Sequence, residues 1–172
     1  MRKKAIQRKY KRLRPRGREV AERSFYRNYI QAEQISLAFH FCKSGPQIKS
    51  STSIHRILYK SWDMIETKES FKVVFMNNAN RVIEVRTISI GEVTGTVVDS
   101  KEIIRKVCLL NASAVILAHN HPSGQMSPSE RDIRITKDLA SILKVISVRV
   151  VDHLILSPDG EYLSFCDNDL LD

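Results

Sequence analysis

From Ile35 onward the apolar positions fall alternately into period two and into helical spacing. Ile35, Leu37, Phe39 and Phe41 alternate with Ser36, Ala38, His40 and Cys42, which predicts a half-buried strand ended by Ser44-Gly45-Pro46. His40 falls on the polar face of that strand and is read as a surface residue. Ser50-Ser51-Thr52 offers a helix cap, and Ile54, Ile57, Leu58, Trp62 and Ile65 follow at helical spacing. His55 and Trp62 are assigned to the packing or surface of that helix. Residues 71–76 and 82–90 are β-rich runs, and Asn77-Asn78-Ala79-Asn80 turns between them as a hairpin. After a loop over 91–95, Thr96-Val97-Val98 reads as a short strand. Asp99 or Ser100 then caps a helix with Ile103, Ile104, Val107 and Leu110 inward. Cys108 is placed on that helix as a buried thiol.

The run 115–118 is continuously apolar, as strands buried on both faces are. The helix that follows is expected to start at a capping box of Ser127 and Glu130, with Pro128 at its first position. Its buried side is drawn from Ile133, Ile135, Leu139, Ile142 and Leu143. Residues 147–152 read as a strand, and 154–156 with 162–165 as a closing hairpin around Ser157-Pro158-Asp159-Gly160. No internal repeat is visible. Helices interleaved with strands predict an α/β domain with a mixed sheet.

Charge divides the chain. Arg2, Lys3, Lys4, Arg8, Lys9, Lys11, Arg12, Arg14, Arg16 and Arg18 lie in the first 18 residues, with no acid among them. The net charge of +9 therefore belongs to this tail, and the remainder sums to −1. Residues 1–18 are expected to be a disordered basic tail, and 19–33 a linker or short helix. A tail of this kind can neutralise phosphates, so nucleic acid is its candidate partner. Cys42, Cys108 and Cys166 are widely spaced and odd in number, which suggests a reducing compartment. No run approaches the roughly 20 apolar residues of a membrane span, and no secretory signal is recognised. A cytoplasmic protein with no membrane partner is expected; the oligomeric state is left open.

The chemistry gathers between Ser113 and Asp132. An apolar strand delivers His119 and His121, a Pro/Gly/Ser loop follows, and Ser129 and Asp132 share a face of the next helix. Asn120, between the histidines, is expected to point away from the metal, and Ser123 and Gly124 to shape the loop. Two imidazoles and one carboxylate leave a fourth position open, the pattern of a catalytic zinc site. Such a site lowers the pKa of bound water and needs a nearby general base. Spacing alone does not choose among Glu66, Glu69, Glu84, Glu92 and Glu102. Asp152-His153 is a candidate orienting pair, weighed against a satisfied structural histidine.

The series His119-x-His121-Pro122, Ser129 and Asp132 resembles the JAMM motif of the MPN/JAB-domain zinc metallopeptidases. The fuller string from His119 to Gly124, followed by Pro128-Ser129-x2-Asp132, is similar to the RadC branch. Gly95-Thr96-Val97-Val98-Asp99, Asn111-Ala112-Ser113, Asp152-His153-Leu154-Ile155 and Tyr162-Leu163-Ser164-Phe165 resemble the same branch. The likeness covers about residues 34–170, and the domain is set at 34–172. It implies a three-layer α/β/α sandwich with a mixed sheet, like that of cytidine deaminases. It also implies Zn2+ on His119, His121 and Asp132, an acid/base at Glu69 of Glu69-Ser70-Phe71, and an oxyanion donor at Ser129. The implied activity is hydrolysis of a peptide or isopeptide bond in a peptide or protein substrate by zinc-bound water.

Two other classes compete. One is a DNA-associated protein, in repair or on a mobile element, that uses the fold for binding or metal-dependent cleavage. The other is a non-catalytic interaction module. The branch's longer proteins carry a helix-hairpin-helix region for which this chain has no room, so the repair reading is weakened. His119-Asn120-His121 spells HNH, but HNH nucleases disperse those residues over a ββα finger. The HxE and PCxxC pair of a zinc deaminase is missing.

Overall fold

The structure, a computed structural model, describes residues 45–91 and 98–171. The basic tail, the segment 19–33, the strand expected at 35–41 with His40, and Cys42 lie outside these residues, as do Glu92, Thr96 and Val97.

Helix α1 spans Ser51–Lys60 and is capped by Ser50, whose side chain accepts from the Ser53 amide while the Ser53 side chain caps in return. Strand β1 spans Ser70–Met76 and β2 Val82–Ile90. Helix α2 spans Ser100–Leu110, β3 Ala114–Asn120, α3 Glu130–Val145, β4 Arg149–Leu156 and β5 Tyr162–Ser164. The sheet order is β2-β1-β3-β4-β5. Only β3 and β4 run parallel, joined through α3; the other neighbours are antiparallel, so the sheet is mixed.

Side-chain parity sorts the core into two layers. Phe71, Val73, Phe75, Val115 and Leu117 face α2 and α3, packing with Ile103, Val107, Leu139 and Leu143. Val74, Met76, Ile116, Ala118, Leu154 and Leu156 face α1, packing with Ile54, Leu58 and Trp62. Central strands β1 and β3 are buried along their whole length. The three layers are therefore helix, sheet and helix, as expected. Parity also divides the residues around the histidines: His119 and His153 share the α2/α3 face, and Asn120 the α1 face.

Several boundaries differ from the sequence reading. Helix α1 ends before Trp62, whose buried ring instead lies under the Lys72 ammonium, 4.7 Å from its centroid. Val98 is not in a strand. Asp99, not Ser100, caps α2, accepting from the Lys101 and Glu102 amides. Cys108 is exposed rather than buried, because it follows the inward Val107 by one residue and so turns about 100° away from it. Strand β4 runs unbroken through Asp152-His153, where two shorter strands were expected. The cap of α3 is Ser129 with Asp132, not Ser127 with Glu130, so Pro128 precedes the cap. Both pairs have the right spacing, but only Asp132 is turned inward against its serine. The buried side of α3 is Asp132, Thr136, Leu139 and Leu143, while Ile142 is exposed.

Helix α2 closes on Asn111 in the left-handed conformation, φ 48°, where its amide reaches Val107 O and Cys108 O. Asn tolerates this region and β-carbon strain penalises most other residues there. Asn111→Ala should therefore lower stability by about 1 kcal/mol and Asn111→Gly should not, as read by urea denaturation.

Candidate metal centre

Strand β3 carries His119 to its end with the register Phe71↔His119 on one side and His119↔Ile155 on the other. His119 is 3% exposed, so its imidazole sits inside the core rather than on a rim. The chain then bends: the His121 amide donates to Leu156 O at 2.8 Å, and the Gly124 amide to His121 O at 3.0 Å. Gly124 has φ 76°, a conformation that glycine adopts without β-carbon strain. This turn folds the His121 ring back toward His119, and their Nε2 atoms lie 2.9 Å apart.

Helix α3 supplies the carboxylate from its first turn. Asp132 Oδ1 lies 3.3 Å from His119 Nε2, and Oδ2 lies 3.8 Å from His121 Nε2. Ser129 holds the carboxylate: its amide donates to Oδ2 at 2.8 Å, and its hydroxyl donates to the same oxygen at 2.6 Å. Burial alone would raise the Asp132 pKa. Hydrogen bonding and charge from His119, with the Ser129 bonds, outweigh it and hold the carboxyl well below the usual range.

One donor atom from each of His119, His121 and Asp132 lies within 4.8 Å of the other two, a group that could hold a metal ion. The donor chemistry fits one. His121 Nδ1 faces Gln125 O at 2.6 Å, and a carbonyl only accepts, so Nδ1 carries a hydrogen. In the neutral ring Nε2 is then bare, and it is the atom turned to His119 and Asp132. Electron-rich atoms converging this closely repel unless a cation, proton or metal, lies among them. Two nitrogens and an oxygen suit zinc with a position to spare.

Behind His119 lies His153, fully buried on β4. Its Nε2 is 2.8 Å from His119 Nδ1, and its Nδ1 is 2.6 Å from Thr136 Oγ1 on α3. Burial, the largest cause, pushes its pKa well down. Of the Asp152-His153 pair, His153 is the residue that lies against His119. The Asp152 carboxylate turns to the other side, accepting from the His153 amide, the Ser164 hydroxyl and the Cys166 amide. His55, stacked on Tyr162 with centroids 4.4 Å apart, belongs to the packing of α1, as expected.

The four candidate glutamates among the described residues separate by environment. Glu84 pairs with Lys106 and Arg86, Glu102 pairs with Arg105 and Arg86, and Glu66 is exposed in a turn. Glu69 is half-buried immediately before β1, two residues from Phe71, which pairs with His119. Its backbone is fixed, with the Gly91 amide donating to Glu69 O at 2.9 Å. Asn120 fixes the same segment from the opposite face of β3. Its Oδ1 accepts from the Ser70 amide at 2.8 Å and hydroxyl at 3.1 Å, and its Nδ2 donates to Ile65 O at 2.8 Å and Lys68 O at 2.9 Å. Asn120 thus points away from the histidine cluster, as expected, and binds both neighbours of Glu69.

Sequence reasoning missed Thr136. Its signal was spacing, since a residue four after Asp132 lies on the same helix face. No helix of the described residues is long and apolar enough to cross a membrane.

Comparison with known proteins agrees with this geometry. The family model described as the RadC-like JAB domain matches residues 48–170. UPF0758 protein YeeS of Escherichia coli (strain K12) is 35% identical over 145 residues, covering 84% of this chain and 97% of that protein. UPF0758 protein YkfG of the same organism is 34% identical over 145 residues, 84% of this chain and 90% of that one. A UPF0758 protein of Cellvibrio japonicus (strain Ueda107) is 42% identical over 100 residues, 58% of this chain but 44% of that longer protein. With its mixed five-stranded sheet and its histidine–histidine–aspartate group at the exit of β3, the chain belongs to the family of RadC-like JAB-domain proteins.

Proposed function

We propose that the chain is a zinc-dependent metallopeptidase-type hydrolase acting on a peptide or isopeptide bond. The observation that carries this reading is the convergence of His119, His121 and Asp132 on one point beside the start of β1, where Glu69 lies. His119, His121 and Asp132 would hold the ion. Zinc bound there supplies an acidified water and a polarised carbonyl.

The chain's own residues do the remaining work. Glu69 is the acid/base: its carboxylate takes the proton of the attacking water and passes one to the leaving amine. Ser129 is the donor to the oxyanion. Its hydroxyl hydrogen is engaged by Asp132 Oδ2 at 2.6 Å, so that role requires the hydroxyl to rotate toward substrate. Against its burial, Asp132 is favoured in its charged form by the Ser129 amide, which donates to its carboxylate.

Glu69→Gln separates binding from chemistry. The zinc-loaded variant should retain the wild-type metal content. It should hydrolyse a fluorogenic peptide library and isopeptide-linked peptide conjugates about 10²–10⁴-fold more slowly than wild type, the usual worth of general acid–base catalysis. Hydrolysis at the wild-type rate would remove Glu69 from the reaction.

A further inference from the structure

We infer that Thr136 and His153 form a hydrogen-bond relay that sets the tautomer of His119, making them positioning residues for the metal centre. The inference rests on the proposed metal centre and extends it to residues that touch no metal. The relay begins and ends on Asp132. Thr136 Oγ1 lies 2.6 Å from the main-chain oxygen of Asp132, His153 Nδ1 lies 2.6 Å from Thr136 Oγ1, and His119 Nδ1 lies 2.8 Å from His153 Nε2. His119 Nε2 then faces Asp132 Oδ1 at 3.3 Å. Thr136 and His153 are fully buried, and His119 and Asp132 nearly so, so water does not substitute for a missing partner.

The direction of the hydrogens follows from the ends. Two oxygens 2.6 Å apart repel unless a hydrogen joins them, and a carbonyl has none to give. Thr136 therefore spends its single hydroxyl hydrogen on Asp132 O and accepts from His153 Nδ1–H. With its hydrogen on Nδ1, the wholly buried His153 ring leaves Nε2 to accept from His119 Nδ1–H, 2.8 Å away. His119 is left with a bare Nε2, pointed at the place where His121 and Asp132 converge. The helix that delivers the carboxylate thereby also determines which nitrogen of a histidine on the sheet can bind metal. Outer partners of metal-bound histidines commonly act in this way, through a carboxylate or carbonyl. Here a second imidazole and a threonine stand in that position.

Ring-nitrogen NMR of the metal-free full chain reads the tautomers directly, and titration of zinc against a chromophoric chelator reads affinity. The wild type should show hydrogens on Nδ1 of both His119 and His153. Thr136→Val keeps the shape but removes the acceptor. It should give His119 a mixed tautomer and lower zinc affinity about 10–100-fold. Thr136→Ser should restore both readouts, which a purely packing role for the Thr136 methyl would not. A wild-type His119 without a hydrogen on Nδ1, or unchanged zinc affinity in a folded Thr136→Val chain, would overturn the relay. Failure of the wild type to bind zinc would instead overturn the metal centre. In that case the spectra of the metal-free chain still decide the tautomers.

Discussion

Alanine at His121 should strip the chain of zinc while leaving its fold nearly as stable as before. The two effects separate because the two histidines are built in differently. His121 sits in a turn, its side chain 14% exposed, and its described protein partner outside the cluster is Gln125 O. Losing that hydrogen bond costs about 0.5–1.5 kcal/mol. His119, by contrast, is enclosed among Phe71, His121 and His153, so its removal opens the core as well as the site. With His121 gone, one imidazole and one carboxylate remain. The expected loss of zinc affinity exceeds the roughly 10–100-fold attached to an outer partner, because a ligand itself is deleted. Zinc titration alongside thermal unfolding checks both halves. Wild-type affinity in His121→Ala would exclude the histidine from the ligand set and with it the open three-ligand site.

Much of the layout was legible because it depends on local pattern. The unbroken apolar run before His119 predicted a central strand, and β3 is buried throughout. The Ser–Asp spacing at the start of α3 located the carboxylate even though the cap was assigned two residues early. What could not be read was polar burial. Thr136 and Asp132 occupy the inward face of α3, where pattern reading put isoleucines, because their polar atoms are met within the helix by Ser129 and Asp132 O and across to the sheet by His119 and His153. Likewise Asp152-His153 looked like a break between strands. Both residues are buried in mid-strand, satisfied by Ser164, Cys166, Thr136 and His119. Such partners lie far away in sequence, and single-chain periodicity carries no record of them. The ownership of hydrogen bonds at Asn120 was hidden for the same reason.

Asn120→Ala should be among the most destabilising single changes in the sheet, at about 2–4 kcal/mol. The side chain is completely buried, and all four of its hydrogen bonds go to the segment just before and at the start of β1. Alanine would leave the Ser70 amide and the Ile65 and Lys68 carbonyls without this partner. Buried groups left unpaired cost about 1–3 kcal/mol each, offset where water reaches the more exposed Lys68 side. Asp at this position would not rescue it: an ionised carboxylate accepts from Ser70 but cannot donate to two carbonyls. The functional consequence follows from the opposite faces of β3. His119 looks toward α3 and Asn120 toward α1, so loss of the amide loosens the segment around Glu69 without touching a metal ligand. Zinc affinity of the folded Asn120→Ala chain should stay within a few-fold of wild type while hydrolysis falls with the mobility of Glu69. Urea denaturation, zinc titration and turnover measured on the same preparation check this. If affinity and stability fell together, Asn120 would be supporting the histidine strand itself rather than the segment that carries the acid/base.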